Sequence, residues 1–596
     1  MKRMLVFSAL VITLLLSSSN VFAQLTSNGD TLIVGPMNSQ NQPIGALNEA
    51  IKGDVTDTGA RKHSVYKLMR NATYLLTEVI QADFPLEIVA DKPDDNNRPP
   101  VIRCGIKEDG SSVNLWWVIF EDATFKNIWL SGVNMDGNGG INWISQEVNA
   151  SGKTISYKGC IIEFPYTSWA MFADWGSNNV YKTEDCVFMN IGNPTGTTWN
   201  GAIFHGVPAD SIIHRNTTFF NFGCFVANGS VFYQELDHCT IVNSVVHPVN
   251  GHNNVQMVYT DNLFINCHAF SDDDAEIKRH YDQEVKGLMN YAEIQWDPQA
   301  LDSLHGPGGV YHDYDPNGDG TLTEDELVWE LKNNNWHYAQ VIKDYWAAFP
   351  NVADNPWMNN YNKAMFENQS GEWTWDLWTY TRDTNDVVID SALVTETHNP
   401  FQYFVEENTM NLDPGFANIK GTDVLLAQNC TNIRKDAVGE AFDPVKWHNV
   451  DDYLEFPWPL DFDLSYTNGS LMTAGTDGFP LGDLNWFPSK KAEWLLTDVE
   501  EINAGELLPS EYSLRQNYPN PFNPTTNIEF SIPQTGMVSL KIYNTIGQEV
   551  AVLANEEMTA GSYKVNFNAA SLSSGIYFYT LTSGEFTSTQ KMMLLK

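Results

Sequence analysis

The chain has 596 residues, of which 12% are aromatic and 18% are charged, a composition typical of folded globular proteins and not of disordered ones. Its length exceeds what one hydrophobic core usually supports, so we expect two or more structural units. The 34 Lys and Arg residues against 74 Asp and Glu residues give a net charge of −40, which argues against nucleic acid and anionic membranes as partners.

The N-terminus has the pattern of a secretory signal peptide, assigned to residues 1–23. Lys2 and Arg3 precede an apolar run, and Ala23 ends a small-residue cleavage pattern. Polar residues at 17–20 interrupt the run too early for a transmembrane helix. The sequence therefore predicts export, with no transmembrane segment in the mature chain. The seven cysteines are too sparse to indicate a disulfide scaffold.

Five segments between residues 155 and 270 share one pattern, in which a small or polar residue precedes a short apolar run. The first residues of the aligned segments are Cys160, Cys186, Thr217, Cys239 and Asn262, at offsets of 26, 31, 22 and 23. Two places further on stand Ile162, Phe188, Phe219, Ile241 and Phe264, and four of the runs reach an asparagine, at Asn190, Asn221, Asn243 and Asn266. Alternation within each run predicts a strand with one buried face.

Repeated single strands of this kind predict a parallel β-helix, in which stacked coils bury one continuous core. We expect the asparagines of successive coils to form a hydrogen-bonded ladder. Cys160 and Cys186 are expected to stack inward as small apolar groups, with a disulfide as the less favoured alternative. Residues 45–54 have helical spacing and could cap the N-terminal end, and residues 407–418 repeat the pattern of a run followed by asparagine.

This organisation resembles the pectate-lyase-like right-handed β-helix superfamily, over roughly residues 30–270 and again from about 385 to 490. The fold class predicted is mainly β: a right-handed parallel β-helix with a partly helical insertion, followed by a C-terminal Ig-like β-sandwich. Residues 24–270 form the first part of the β-helix, and residues 386–495 form its continuation and C-terminal cap. The resemblance implies that polysaccharide is bound or cleaved along one sheet, although a shared fold does not define the activity.

The coil pattern stops between residues 271 and 385, which we interpret as a helical and aromatic insertion. Residues 275–296 and 335–349 have helical spacing. Within it, DPNGDGTLTEDEL begins at residue 315 and resembles the calcium loop of EF-hands. The predicted calcium ligands of loop 315–326 are Asp315, Asn317, Asp319, Thr321, Thr323 and Glu326.

These oxygen ligands suit calcium, which is the one cofactor predicted; the alternative is an acidic surface turn. Residues 324–334 could form the exiting helix, but Gly and Pro at 306–309 exclude a regular entering helix. No second loop is present to pair with the first. The site is therefore predicted to be structural and not a sensor.

After a linker at residues 496–511, residues 512–596 contain short alternating strands, indicating a small β-sandwich. They include YPNPFNP at 518–524, Gly547, Gly575 and Lys591. This series resembles the type A C-terminal sorting domain of the bacterial type IX secretion system. The resemblance implies export across the outer membrane and release or attachment at the cell surface, with the secretion machinery as the partner of residues 512–596. An ordinary Ig-like binding module would explain the strands but not YPNPFNP.

Charged residues form two columns on the coil alignment. Lys158, Glu184, Arg215 and Asp237 make the first, and Asp185, Asn216, His238 and Asp261 make the second. Polysaccharide lyases need a base, often Arg or Lys, so Lys158 and Arg215, about 10 Å apart, are the catalytic candidates. The alternative is an alternating-charge ladder at a sheet corner.

Two functions remain open. The first is an exported β-helix protein that acts on extracellular polysaccharide, with a lyase favoured over a hydrolase. The alternative is a non-catalytic adhesin or glycan-binding surface protein. No motif of a catalytic family is complete, so whether the protein is an enzyme stays open. The tryptophans at 373, 375 and 378 are further candidates for stacking on sugars, although large aromatic residues mostly fill cores.

Overall fold

The computed structural model of the protein describes most of residues 45–132, 146–163, 170–191, 202–271, 329–349, 404–437, 456–494 and 512–594, together with shorter stretches at 25–35, 289–290, 373–382, 388–398 and 499–502. The described chain divides into two compact units, Met1–Asp483 and Leu484–Lys596. Parallel sheets dominate the first unit and antiparallel sheets the second. The predicted mainly β class, with a parallel β-helix and a C-terminal β-sandwich, is confirmed.

The first unit contains an 18-stranded sheet made of two parallel ladders that share two long strands, Ala202–Arg215 and Ala227–Asp237. The first ladder comprises the C-terminal halves of the long strands with Thr31–Val34, Val65–Leu68, Leu86–Ala90, Ala123–Lys126, Thr154–Lys158, Val180–Glu184, Gln256–Thr260, Trp329–Lys332 and Phe404–Glu407. The second ladder comprises their N-terminal halves with Ile80–Ala82, Trp117–Ile119, Gln146–Val148, Ala170–Asp174, Val249–His252 and Met289–Asn290. Strand Leu25–Asn28 pairs antiparallel with Thr31–Val34.

A nine-stranded parallel sheet forms the third side of each coil. Its strands are Thr73–Leu76, Val101–Cys104, Trp129–Ser131, Ile161–Glu163, Val187–Ile191, Thr218–Phe222, Thr240–Ser244, Leu263–Ile265 and Asn335–His337. The chain passes from a first-ladder strand directly into this sheet and then returns through the second ladder. Three strands per coil therefore enclose the core, which is the geometry of a parallel β-helix.

The repeat predicted from the sequence is visible in the register of the nine-stranded sheet. Ile162 pairs with Phe188, Phe188 with Phe219, and this row continues through Ile241 to Phe264. All five side chains are fully buried. The cysteines also stack inward: Cys160 donates its thiol hydrogen to Phe125 O, and Cys186 donates to Tyr157 O. Both cysteines are free, which confirms the preferred interpretation.

The predicted asparagine ladder is confirmed. Asn221 donates from Nδ2 to Asn190 Oδ1 at 3.2 Å, Asn243 donates to Asn221 at 2.9 Å, and Asn266 donates to Asn243 at 3.0 Å. Each of the four residues has a positive φ, between 53° and 63°. Asparagine adopts this left-handed conformation more readily than most residues, so one residue type serves both the bend and the hydrogen bond.

Helices lie at the edges of the coil stack. The predicted N-terminal helix is present as Ala46–Gly53, with its apolar face in the core. Helices Gln340–Ala347 and Thr422–Ala437 pack against each other. Arg434 joins them to the coils because it donates to Phe270 O at 2.7 Å and to Tyr345 Oη at 2.6 Å. Among the described residues, no helix is long and apolar enough to cross a membrane.

The predicted insertion, residues 271–385, contains a further coil. Strands Trp329–Lys332 and Asn335–His337 pair in parallel with the coil that ends at residue 265. The prediction that residues 324–334 could form the exiting helix is wrong for its described part, because Trp329 and Leu331 alternate into the core as strand residues. An antiparallel hairpin, Trp373–Arg382 with Val388–His398, follows. The calcium loop 315–326 lies outside the described residues, as do residues 1–23.

Residues 456–483, here called the strap, run along the outer face of the nine-stranded sheet. Phe456 packs edge-on against Trp129, with ring centroids 5.2 Å apart, and Phe462 stacks on Phe220 at 4.4 Å. Gly482 has a φ of 80°, and a Cβ there would lie 2.9 Å from the Leu263 side chain, so only glycine fits. The strap explains why strands of this sheet are buried on both faces.

The second unit is a two-sheet sandwich preceded by a 3₁₀ turn Leu484–Trp486 and a helix Pro488–Trp494. One sheet contains Val499–Ile502, Gly561–Asn568, Thr525–Ile532 and Ser513–Leu514, and the other contains Glu549–Met558, Gly536–Asn544, Gly575–Ser583 and Phe586–Leu594. All pairings within the two sheets are antiparallel. Ile528, Leu540 and Val565 are among the fully buried residues between them.

Candidate functional site

The first charged column lies on the outer face of the first ladder, as the coil alignment predicts. Lys158, Glu184, Arg215 and Asp237 are register partners on successive strands. Lys158 Nζ lies 2.5 Å from Glu184 Oε1, and both side chains are nearly half exposed. Within the column, Lys158 and Glu184 therefore form an ion pair.

Arg215 takes part in a more elaborate contact. Its Nε donates to Glu235 Oε1 at 2.5 Å and its Nη2 donates to Glu235 Oε2 at 3.3 Å, so the two groups form a bidentate pair. Tyr233 Oη donates to Glu235 Oε2 at 2.6 Å. The Glu235 side chain is only 7% exposed although it is on an outer face, whereas Arg215 is 54% exposed.

The electrostatics of this cluster hold Arg215 and Tyr233 each in one protonation state. Burial lowers the pKa of Arg215, but the hydrogen bonds and charge of Glu235 outweigh that effect and raise it. Burial and the neighbouring Glu235 carboxylate raise the pKa of Tyr233. Arg215 thus stays a cation and Tyr233 stays a hydrogen-bond donor. Neither is a base near neutral pH.

The second column forms the turn between the first ladder and the nine-stranded sheet. We call it the corner column; it consists of Asp185, Asn216, His238 and Asp261. Their φ values are 58°, 45°, 49° and 62°. Each backbone N–H donates to a carbonyl of the next coil, as from His238 to Thr260 O at 3.1 Å. The backbone is the same at all four places, so the change of side chain from coil to coil is not required by the turn.

His238 is enclosed by carboxylates. Its Nδ1 lies 3.1 Å from Asp237 Oδ1 and 3.9 Å from Asp261 Oδ2, and its Nε2 lies 3.6 Å from Asp477 Oδ2. Burial lowers the pKa of His238, but the hydrogen bonds and charges of Asp237 and Asp477 outweigh it and raise the pKa to about 10. Burial raises the pKa of Asp261. Within the described part of the chain, Asp237, His238 and Asp261 are the one group of three side chains placed to hold a metal ion.

The strap completes this corner. Thr476 donates to Asp261 from its backbone N–H at 2.8 Å and from its hydroxyl at 2.6 Å. Gly482 N donates to Asp261 O at 2.7 Å, and Asp483 accepts a hydrogen bond from Thr218 Oγ1 at 2.7 Å. The outer cluster and the corner are continuous, because Asp237 is the register partner of Arg215 and also contacts His238.

The structure brings together some predicted residues and separates others. Arg215, Asp237, His238 and Asp261 meet at one place, while Lys158 lies two strands from Arg215 with Glu184 between them. The six predicted calcium ligands, Asp315, Asn317, Asp319, Thr321, Thr323 and Glu326, lie outside the described residues. The strand that contains the tryptophans at 373, 375 and 378 is described only in its backbone.

Sequence reasoning missed Tyr233, Glu235 and Asp477. The first two could have been found, because Tyr233, Glu235 and Asp237 alternate along one strand and so share its outer face. Asp477 reaches His238 from 239 residues further along the chain, and no local pattern connects them.

The family model described as a secretion system C-terminal sorting domain matches residues 516–595. The matched range lies within the β-sandwich of the second unit. Comparison with curated proteins and with solved structures finds no match. The matched domain indicates export by type IX secretion to the cell surface or the extracellular space.

Proposed function

We propose that this exported cell-surface protein binds extracellular polysaccharide without cleaving it, on the outer face of the first ladder. The observation that carries the proposal is the cluster of Arg215, Tyr233 and Glu235. Its side chains come from neighbouring coils and are fixed to one another by hydrogen bonds of 2.5 to 3.3 Å. A site held in one geometry binds with a smaller loss of side-chain entropy.

Arg215 would provide the ligand contact. About half of its side chain is exposed. A guanidinium has five N–H donors, and two of them donate to Glu235. The remaining donors suit hydroxyl or carboxylate groups of a sugar. Because the chain carries a net charge of −40, neutral polysaccharides are the favoured ligands and long polyuronates are disfavoured.

The lyase alternative has less support. A lyase base must accept a proton near the working pH. Lys158 and Arg215 remain the catalytic candidates predicted from the sequence, but each forms an ion pair with a carboxylate oxygen at 2.5 Å. The paired arrangement favours binding over proton abstraction.

Affinity electrophoresis of the full chain in gels that contain a panel of neutral and acidic polysaccharides tests the proposal. Arg215→Gln should weaken binding at least about tenfold, since it removes charged donors from the ligand contact. Lys158→Gln is the matched control, because it removes an ion-paired cation two strands away in the same column. Equal retardation of Arg215→Gln and wild type would refute the site. Ultraviolet detection of unsaturated uronate products on the same panel would reveal a lyase.

We also propose that calcium binds loop 315–326 and holds part of the insertion in position. The support is the sequence alone, in which every ligand position of an EF-hand loop is filled. The double variant Asp315→Ala, Glu326→Ala should lose the rise in melting temperature that calcium gives to the wild type. A melting shift of the same size in both proteins would contradict this proposal.

A further inference from the structure

Three potential ligand atoms converge at the corner between two coils and are not needed for the proposed sugar contact. They are His238 Nδ1 and one carboxylate oxygen each of Asp237 and Asp261, and all lie within 4.8 Å of one another. The two nitrogen-to-oxygen separations are 3.1 and 3.9 Å. Ligands bound at about 2.1 Å to one metal ion lie about 3 to 4 Å apart, so both nitrogen-to-oxygen separations fall in the range of a coordination shell.

Burial distinguishes this group from an acidic surface patch. The side chains of His238 and Asp261 are 2% and 1% exposed, and they approach the same point from successive coils. A buried charge is costly unless it is balanced. Asp237 and Asp477 are 25% and 30% exposed and add two more negative charges around the same imidazole.

The negative charge of this corner favours a divalent cation. Three carboxylates, those of Asp237, Asp261 and Asp477, lie within 3.9 Å of the His238 imidazole. Arg215, whose charge also interacts with Asp237, is hydrogen-bonded to Glu235. A divalent cation bound here would have carboxylate ligands of opposite charge.

The carboxylates are also oriented as metal ligands usually are. Thr476 donates one hydrogen bond to each oxygen of Asp261, and Thr260 donates to Asp237 Oδ1 at 3.0 Å. Such partners fix a ligating carboxylate while leaving lone pairs for a metal. One neutral imidazole with two carboxylates suits zinc and similar transition metals, whereas calcium and magnesium prefer oxygen ligands alone.

We infer that Asp237, His238 and Asp261 form a binding site for a divalent metal of the zinc class, which joins two coils and, through Thr476, the strap. This site is separate from the predicted calcium loop and does not depend on the proposed sugar binding. The ion would stabilise the fold. It would fix Asp261, to which residues 475–483 of the strap are hydrogen-bonded through Thr476.

Zinc content and cobalt absorption of the full chain test the inference. After treatment with a chelator, the wild type should bind one equivalent of Zn²⁺ at neutral pH, and Co²⁺ in its place should give visible absorption bands. His238→Gln should lose both signals. His337→Gln is the matched control, since this histidine lies 3.9 Å from a single carboxylate, Asp413, and should leave both signals unchanged. Wild-type protein without stoichiometric Zn²⁺, or His238→Gln with full binding, overturns the site.

A second variant covers the case in which His238→Gln does not fold. Asp237→Asn keeps the side-chain size and an oxygen for the Thr260 hydrogen bond, and the position is partly exposed. It should weaken Zn²⁺ binding by at least about tenfold. Unchanged affinity would show that Asp237 is not a ligand and would overturn the site. The double variant Asp315→Ala, Glu326→Ala should bind Zn²⁺ like the wild type, which separates this site from the calcium loop.

Discussion

Two rows of residues with left-handed backbone run along the coil stack. One row repeats a single residue type, and the other changes residue type from coil to coil. The asparagine ladder repeats one residue at 190, 221, 243 and 266, whereas the corner column changes at every coil, from Asp185 through Asn216 and His238 to Asp261. In the ladder each amide hydrogen-bonds to the next, so repetition is itself stabilising. In the corner column the backbone makes the hydrogen bonds between coils, so the turn does not require one residue type at every coil.

Breaking the ladder at its centre should have the largest effect. Asn243 donates to Asn221 and to Thr422 Oγ1, and it accepts from Asn266. Asn243→Ala would leave buried polar groups unpaired and strain the left-handed backbone, so we expect the free energy of unfolding to fall by about 4 kcal/mol. Chemical denaturation measures the loss. Asn190→Ala, at the less buried end of the ladder, should cost clearly less, and equal losses would show that the ladder is not cooperative.

A buried carboxyl group away from both rows shows what burial costs when it outweighs the neighbours Trp129, Arg103 and Ser131. Glu163 lies in the nine-stranded sheet, and burial raises its pKa to about 8. Its Oε1 has no hydrogen-bond partner among the described residues. The folded protein keeps the proton that the unfolded chain releases near pH 4.5, so stability falls as the pH rises from 4.5 to 8 and then levels off.

Between pH 5 and pH 8 this group should therefore lower the free energy of unfolding by about 3 kcal/mol. Melting temperatures over that range should decline in the wild type and decline less in Glu163→Gln, which has no proton to lose. Parallel curves for the two proteins would contradict the assignment. The contrast with the corner column, where Asp237, Asp261 and Asp477 lie within 3.9 Å of the His238 imidazole, would then be lost.

Detaching the strap from the corner column should have an intermediate effect. Thr476→Val removes the hydroxyl hydrogen bond to Asp261 but keeps the side-chain size and the backbone hydrogen bond. We expect a loss of about 1 to 2 kcal/mol, because Asp261 is almost fully buried and loses one of its donors. Protease sensitivity within residues 456–483 should rise relative to Thr260→Val, which alters the more exposed Asp237 instead. The same cleavage rate in both variants would show that the Thr476 hydroxyl does not hold the strap on the corner column.

The backbone preference of the corner column should give the smallest effect, seen as the difference between two replacements of His238. Asn216 occupies the equivalent turn with nearly the same φ, so His238→Asn satisfies the backbone. Both His238→Asn and His238→Val remove the imidazole that faces Asp237, Asp261 and Asp477, and both should lose Zn²⁺ binding. The difference between the two variants in metal-free protein, about 1 kcal/mol, measures the backbone preference of the turn. His238→Val should cost more, since β-branched residues disfavour positive φ. Equal costs for the two variants would mean that the turn does not limit the choice of residue.

The coils were predictable because their signals are local. Phe188 and Phe219 mark the buried row, Asn190 and Asn221 mark the ladder, and both patterns recur within about 30 residues. The charged column containing Arg215 followed from the same alignment. The coil at residues 329–337 was missed because more than 60 residues separate it from the previous one.

The rest of the site depends on contacts that leave no periodic signal. Glu235 is buried on an outer face, where Arg215 and Tyr233 donate hydrogen bonds to it. Asp477 approaches His238 from the strap, whose residues follow no strand pattern. Alternation in the sequence predicts which face of a strand a residue occupies, but not which distant segment covers that face.

Docking of the strap is expected to come late in folding. Until residues 456–483 have been made and docked, Trp129, Phe220 and Leu263 lie on an open sheet face that is apolar and parallel-stranded. A folding intermediate with intact coils would therefore expose an apolar surface on one side and be prone to aggregation. In the last folding step, residues 456–483 would pack onto that surface. Chains cut short before residue 456 would keep that face uncovered and would associate with one another through it.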